Sequence, residues 1–264
     1  MALTTLLDAA RALPTERRTE ILSRLRDLSS EQQATLVTAL RLEIRERCHA
    51  NGWLWLSFVK TRDEADPNQT VKPFPRYLEY VRAIWQELAD PNHKRVICAK
   101  SRQMIMSWIV CAFATWWARS KPNTFVAIQT QKYDDACKLV SMAGGTQAGY
   151  LGRCQFIERY LPEWLQSPGL REGQGTLTYP NGSMIEGLAG GADQIRGKVP
   201  SLIILDEFGY QLEAKGVYTA INPLVQKGTK LIVVSTPNGF SGNMFASLYH
   251  GLSFMDAHSA NVAT

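Results

Sequence analysis

The chain has 264 residues, 45% of them hydrophobic, and a net charge of +5 from 29 Lys and Arg against 24 Asp and Glu. That is enough for one large α/β domain or a domain with a small appendage, and the modest basic excess permits a polyanionic partner without requiring one. Cys48, Cys98, Cys111, Cys137 and Cys154 are odd in number and form no CxxC pair, so neither a disulfide framework nor a zinc site is signalled and reduced thiols fit best. No basic segment leads into an apolar one at the start, and no run approaches the ~18 uncharged apolar residues of a membrane span, so a soluble, unexported protein is expected.

Residues 1–50 are rich in Leu, Ala, Arg and Glu and contain no Gly, which predicts helices. Ile21, Leu22, Leu25 and Leu28 repeat at helical spacing. Leu36, Val37, Leu40 and Ile44 do the same after Ser30, with Gln33 placed to close a capping box. Asn51 and Gly52 end this arm, whose apolar stripe suits either the flank of the domain or a partner. Residues 53–58 are aromatic-rich and 62–72 read as a polar loop. Next come Pro73, Phe74, Pro75, Arg76 and Tyr77, then a predicted helix over Tyr77–Leu88 that ends before Asp90. Phe74 and Tyr77 either fill core or stack on a planar base.

Arg95–Ala99 has the length and residue types of a buried strand, whereas Ile105–Trp117 is too long for one and lacks Gly and Pro, so it reads as a buried helix. Between them lies a loop, and residues 100–108 read KSRQMIMSW. A loop entering a helix N-terminus offers unpaired N–H groups and the positive end of the helix dipole, which suits a polyphosphate. Lys100, Arg102 and Ser107 add two positive charges and a hydroxyl. The pattern GxxxxGK[ST] is not met: aligned on Ser107, Met106 stands at the lysine and Ile105 and Lys100 at the glycines. A basic surface loop ahead of a core helix accounts for the same residues.

Thr124–Ile128 is a second predicted strand, leading into a helix through Ala136 and Val140. Residues 143–175 are mixed, with a short helix around Phe156–Leu165, and no chemistry attaches to them. Thr176–Tyr179 and Ser183–Glu186 flank Pro180, Asn181 and Gly182 as in a β-hairpin. Ser201–Leu205 is a continuous apolar strand followed at once by Asp206 and Glu207. In open α/β sheets ligands lie outside the carboxyl ends of the strands, so Asp206 there is placed to reach Mg²⁺ on a polyphosphate and Glu207 to orient or deprotonate an attacking water; solvated end caps are the plainer alternative. Lys230–Val234 is a third such run, ending in Ser235, Thr236, Pro237, Asn238 and Gly239. Hydroxyls at that strand end are placed to sense a γ-phosphate, and a plain turn has the same residues.

KSRQxxxSW with its lysine first, then LIILDE, then VVSTPNG resembles the ATPase domain of the large terminase subunit of tailed bacteriophages, over residues 53–250. The resemblance implies a three-layer α/β P-loop ATPase of the additional-strand, helicase-like kind, with a mainly parallel sheet, the helical arm at 1–52 and the motor domain at 53–264. It implies ATP and Mg²⁺ as cofactors, with Lys100, Ser101, Arg102, Gln103 and Ser107 on the phosphates, Asp206 and Ser107 on the metal, and Glu207 as the catalytic carboxylate. Ser235, Thr236 and Pro237 then match the coupling motif, Arg196 an arginine offered to the γ-phosphate in cis or in trans, and Phe74 and Tyr77 the adenine-contacting segment. It further implies double-stranded DNA held by its phosphates, a portal and a small terminase subunit as partners, a homo-oligomeric ring, and action in the host cytoplasm away from membranes. The phosphate loop lacks the family's glycines. The family's ribonuclease H-type nuclease domain is expected to be missing, because residues 240–264 hold no acidic cluster. A helicase-type translocase and a non-hydrolysing docking module are the competing readings; ATP turnover separates the second from the motor.

Overall fold

The computed structural model describes residues 15–16, 19, 23, 28–63, 66, 68, 70–101, 104–145, 150–237, 244–251 and 260–262. Ile21, Leu22 and Leu25, along with Arg102, Gln103, Asn238 and Gly239, lie outside them. The strands are β1 Lys60–Arg62, β2 Val71–Pro73, β3 Arg95–Ala99, β4 Phe125–Gln129, β5 Arg171–Gly173, β6 Thr176–Thr178, β7 Met184–Leu188, β8 Leu202–Asp206, β9 Lys230–Ser235 and β10 Ala260–Val262. The helices are α1 Ser30–Ala50, α2 Gly52–Trp55, α3 Glu79–Ala89, α4 Met106–Ser120, α5 Tyr133–Leu139, α6 Arg153–Tyr160, α7 Ala214–Gln226 and α8 Met244–Tyr249.

One sheet organises these elements, in the order β10-β3-β9-β8-β4-β7-β6-β5. The six strands from β10 to β7 run parallel, and β6 and β5 close the far edge as antiparallel hairpins. β9 is wedged between β3 and β8, so the strand leading to Lys100 and the strand ending in Asp206 are second neighbours. This is the mainly parallel, three-layer architecture with an additional strand that the sequence predicts.

Successive residues of the central strands feed opposite faces. Val96, Cys98, Val126, Ile128, Leu202, Ile204, Ile232 and Val234 pack into one apolar cluster with residues of α1, α3, α4 and α6. Ile97, Ala127, Ile203, Leu205, Leu231 and Val233 pack into another with α7 and α8. A sheet covered on both faces needs apolar residues at every position, which is why these strands read as unbroken apolar runs instead of alternating. Helix α4 lies inside the first cluster, with Trp108, Ile109, Val110, Cys111, Ala112, Phe113 and Ala114 all buried. It can be apolar all round because α1, α3 and α6 cover what the sheet leaves open.

Proline sets three helix ends. The residue before a proline is pushed out of the helical region by the pyrrolidine ring. Asp90 (φ −65, ψ 120), Lys121 (φ −120, ψ 117) and Leu161 (φ −63, ψ 152) are all extended and end α3, α4 and α6 respectively. Pro162 therefore splits the short helix predicted around 156–165 into α6 and a separate 3-10 turn, Glu163–Leu165.

Three details differ from expectation. The capping box of α1 is one residue earlier than predicted: Ser29 caps, accepting from the Gln32 N–H at 3.3 Å, while the Gln32 side chain accepts from the Ser29 N–H at 2.9 Å. Successive Ser29–Ser30 and Gln32–Gln33 offer two registers for the box, and the structure takes the first. The polar stretch 62–72 is bounded by a small antiparallel pair, β1 with β2, too polar to register as strands. Helix α7 was not predicted; it contains Pro223, which ordinarily argues against a helix interior but is accepted here because Val217, Ile221 and Val225 bury one stripe against the second cluster.

All five cysteines are free and buried, and burial pushes the Cys48 and Cys98 thiols up to about 12, which makes them packing residues with no nucleophilic character. No helix among the described residues is long and apolar enough to cross a membrane.

The far end of α4 is locked by a buried ion pair. Arg119 donates to both carboxylate oxygens of Glu158 on α6 at 2.7 Å, to the Ser167 hydroxyl at 2.8 Å, and to the Leu165 carbonyl. Removing one partner leaves a buried charge uncompensated, which costs about 3–5 kcal/mol. Arg119→Met is accordingly expected to lower urea-unfolding stability by roughly that amount, and adding Glu158→Gln to recover part of the loss. Equal unfolding midpoints for the parent and Arg119→Met would refute this account of the lock.

Candidate active site

At the carboxyl ends of β3, β9 and β8 the three conspicuous sequence segments meet. The Lys100 backbone N–H donates to the Ser235 carbonyl at 3.0 Å, extending the β3–β9 ladder by one bond and tethering the start of the loop to the end of β9. From that anchor the Lys100 ammonium reaches across to β8 and donates to Glu207 Oε1 at 2.7 Å. Ser107, in the first turn of α4, donates its hydroxyl to Asp206 Oδ2 at 2.9 Å. Thr236 donates its N–H and its hydroxyl to Glu207 Oε2, at 3.3 and 3.2 Å.

Lys100, Ser107, Asp206, Glu207, Ser235 and Thr236 are therefore one constellation, assembled from residues up to 136 positions apart in the chain. The two carboxylates differ in surroundings. Asp206 is 5% exposed, and burial raises its pKa above the ordinary aspartate value, with the Lys100 charge, the Ser107 hydrogen bond and the Arg153 charge pulling it down and Glu207 pushing it up. The Glu207 side chain is 43% exposed, open to solvent and to any ligand in the cleft. Its backbone is left-handed (φ 50, ψ 41), a conformation that costs an L-residue with a Cβ about 1–2 kcal/mol. The turn is held by the Gly209 N–H, which donates to the Ser235 hydroxyl at 3.0 Å, and by the Tyr210 N–H, which donates to the Glu207 carbonyl at 3.0 Å. This strain turns Glu207 away from the strand direction and toward Lys100.

Ile105 provides no side-chain cap to α4, a 15-residue helix whose first turn carries Ser107 against Asp206 and brings the positive end of its dipole to the site. Met106 is 3% exposed and packs in the core, leaving Lys100 as the cation at the loop's base. Ser101 is exposed. Arg102 and Gln103 lie outside the described residues.

The remaining predicted residues differ in exposure. Phe74 is 5% exposed and belongs to the apolar core, whereas Tyr77 is 83% exposed. Arg196 is on an exposed turn, paired with Asp193 at 2.6 Å. Pro237 is exposed, and Ser235 is fully buried. Two residues of the site were missed. Arg153 opens α6, with its guanidinium carbon 5.6 Å from the Trp108 ring, and comes from the stretch to which no chemistry was attached. Tyr210, three positions past Glu207, brings its hydroxyl within 3.3 Å of Thr236 Oγ1. No motif marks either; an aromatic on the turn after an acidic strand end is the one sequence signal that was available.

The fold and site define an α/β protein whose polar cluster crowns the ends of parallel strands. No family model matches the chain. Among solved structures, the HK97 bacteriophage large terminase is similar at 14% identity and a TM-score of 0.50, over 67% of this chain and 36% of that one. The large terminase ATPase domain of Thermus phage P74-26 is similar at 19% identity and a TM-score of 0.45, over 63% of this chain and 68% of that one. A point mutant of the same domain gives 19% identity and a TM-score of 0.46, over 60% and 64%. This chain thus spans 36% of the length of the HK97 protein it resembles. The likeness to that protein shows the fold: the chain has the P-loop-type α/β fold of a phage large terminase.

The burial of Asp206 has a stability consequence. Because its folded pKa is raised, the folded chain keeps a proton where the unfolded chain, at ~3.9, has already lost it. Folding stability therefore falls as pH rises from the ordinary aspartate value through the raised one, and stays lower above it. Asn keeps an acceptor for Ser107 without the charge, so Asp206→Asn is expected to raise the melting temperature of the ligand-free protein at pH 7 by about 2–4 °C, with the difference vanishing below pH ~3.5. Thermal unfolding at both pH values checks this, and a lower melting temperature for the variant at pH 7 would contradict it.

Proposed function

We propose that this chain is the ATP-hydrolysing motor domain of a viral DNA-packaging terminase. The observation that carries this reading is the cleft itself, where a loop lysine ahead of a helix N-terminus and a strand-end carboxylate pair meet across an inserted strand, linked by the 2.7 Å Lys100–Glu207 pair and the 2.9 Å Ser107–Asp206 bond. The terminase-like fold supports it independently of the side chains.

Each side chain has a role that follows from its surroundings. Lys100 is the cation of the loop base, and a polyphosphate in the cleft competes with Glu207 for it. Backbone N–H groups at the start of α4 receive phosphate oxygens. Asp206 and Ser107 fit Mg²⁺: they form an oxygen-only donor set, and the buried carboxylate carries a charge that burial leaves poorly compensated. When bound, Mg²⁺ neutralises charge on the β- and γ-phosphoryl oxygens.

Glu207 then loses Lys100 as a partner and keeps Thr236. A carboxylate in that condition is free on one oxygen to accept the proton of a water attacking in line with the leaving group. Thr236 registers the change, because its N–H and hydroxyl both end on Glu207. With Ser235 and Pro237 it transmits the hydrolytic state to the adjoining loop. Arg196, exposed and paired with the surface residue Asp193, suits a finger offered to the nucleotide of a neighbouring subunit in a ring. Phe74, buried, supports the segment whose exposed Tyr77 faces an adenine. Arg102 and Gln103 complete the phosphate loop. Double-stranded DNA, held by its phosphates, is the translocated polymer, with a portal and a small terminase subunit as partners in the host cytoplasm.

ATP turnover by the purified chain, with and without DNA, tests this. Lys100→Ala is expected to abolish it. Glu207→Gln should still bind ATP but turn over about 10² to 10⁴-fold more slowly, the range for losing a general base. Asp206→Asn should lose Mg²⁺-dependent nucleotide affinity as well. Calorimetry with a non-hydrolysable ATP analogue separates the two variants; equal weakening of binding in both would overturn the division of labour, and absence of turnover in the parent would overturn the reading. DNA affinity should fall steeply between about 50 and 200 mM salt.

A further inference from the structure

Glu207 does not end the hydrogen-bonded chain that begins at Lys100. Beyond it, Thr236 Oγ1 lies 3.2 Å from Glu207 Oε2 and 3.3 Å from the phenolic oxygen of Tyr210. A threonine hydroxyl has one proton to give, and an ionised carboxylate has none. The Thr236 proton therefore goes to Glu207, and the phenol donates to Thr236 Oγ1. The order of donation is Tyr210 to Thr236 to Glu207, with Lys100 donating from the other side.

We propose that Tyr210 is a positioning residue for Glu207: its phenol sets the direction in which the Thr236 hydroxyl points, and so fixes the rotamer of the carboxylate that receives the proton from water. The inference rests on the reading of Glu207 as general base. Its force comes from the moment at which it matters. While Lys100 holds Oε1, Glu207 is oriented from both ends. Once a phosphate takes Lys100, the donors on Oε2 are what keep the carboxylate aimed, and one of the two is a rotor that needs a partner of its own.

The placement of Tyr210 favours this over a packing role. The residue is 38% exposed, and it belongs to neither buried apolar cluster. Its position is set by the backbone, because the turn Phe208–Tyr210 is pinned to Ser235 and Glu207. The phenol thus stands on a fixed platform beside the end of β9.

Steady-state ATP hydrolysis by the full chain, with Tyr210→Phe, Thr236→Val, the double variant and Thr236→Ser, tests the proposal. Tyr210→Phe keeps the ring and is expected to retain the parent melting temperature and KM for ATP while kcat falls about 3- to 10-fold, the signature of lost transition-state alignment with ground-state binding intact. Thr236→Val should lower kcat further, and the double variant should match Thr236→Val alone, since the phenol acts only through that hydroxyl. Thr236→Ser, which retains the hydroxyl, should restore most of the loss and remain sensitive to Tyr210→Phe. Parent kcat in Tyr210→Phe, or losses that multiply in the double variant, would overturn the proposal while leaving the ATPase reading intact. A parent chain without ATP turnover would remove both, and calorimetric binding of a non-hydrolysable ATP analogue would then separate a binding module from a misread cleft.

Discussion

The insertion of β9 between β3 and β8 sets the geometry on which the site depends. Neighbouring strands lie about 4.8 Å apart, so the ends of β3 and β8 are separated by about 10 Å, too far for short side chains to meet and close enough for a lysine and a glutamate to do so. The Lys100–Glu207 pair spans that gap at 2.7 Å. The end of the middle strand lies under the bridge, which is why Thr236 and Ser235 contact Glu207 and its turn directly. A gap of this width, lined by a cation on one bank and carboxylates on the other, is what the proposed function assigns to a phosphate chain and its counter-ion, with the hydroxyls between the banks as its sensors.

Around this cleft the protein is stiff. Helix α4 is enclosed by the sheet and by α1, α3 and α6, with aromatic edge contacts from Trp85 to Phe113 and from Trp108 to Phe156 at 5.6 and 5.4 Å. Its far end is held by the Arg119–Glu158 pair. Such a wall fixes the first turn of α4, where Ser107 meets Asp206, while α6 carries Arg153 to the neighbourhood of the same carboxylate. The glycine before α6 shows how close the packing is: a Cβ on Gly152 would lie 2.5 Å from the Ser141 nitrogen. Within this frame, the proposed function makes the exchange of Lys100 between Glu207 and a phosphate the movable part.

Two features of the cleft act against stability. Asp206 is a carboxylate held away from water, and Glu207 sits in a left-handed backbone conformation. Both are costs in the folded chain, and under the proposed function a cation and a polyphosphate offset them, which couples ligand binding to folding stability at this point. The neighbouring turn, fixed by Gly209 and Ser235, holds the strain in place instead of letting it relax.

Residue pattern alone determined much of this protein. Unbroken apolar runs at 95–99, 201–205 and 230–234 identify strands buried on both faces, because only a doubly covered sheet admits them. Asp90, Lys121 and Leu161, each ahead of a proline, mark helix ends by steric exclusion that is local to the chain. The polar residues at the strand ends were legible because the apolar run stops there: Asp206 and Ser235 are the last residues of β8 and β9, and Lys100, Glu207 and Thr236 stand just past an end. Tertiary structure decided the rest. Strand order cannot be read from strand content, since crossovers of similar length reach either neighbour, and it is the order that sets Thr236 between Lys100 and Glu207. Helix α7 forms through Pro223 because its apolar stripe has a sheet to cover, a gain no local propensity contains. Arg153 and Tyr210 carry no motif; the first joins the site through packing of α6 on α4, the second through a left-handed turn at Glu207 that an L-residue adopts only when surrounding hydrogen bonds hold it there.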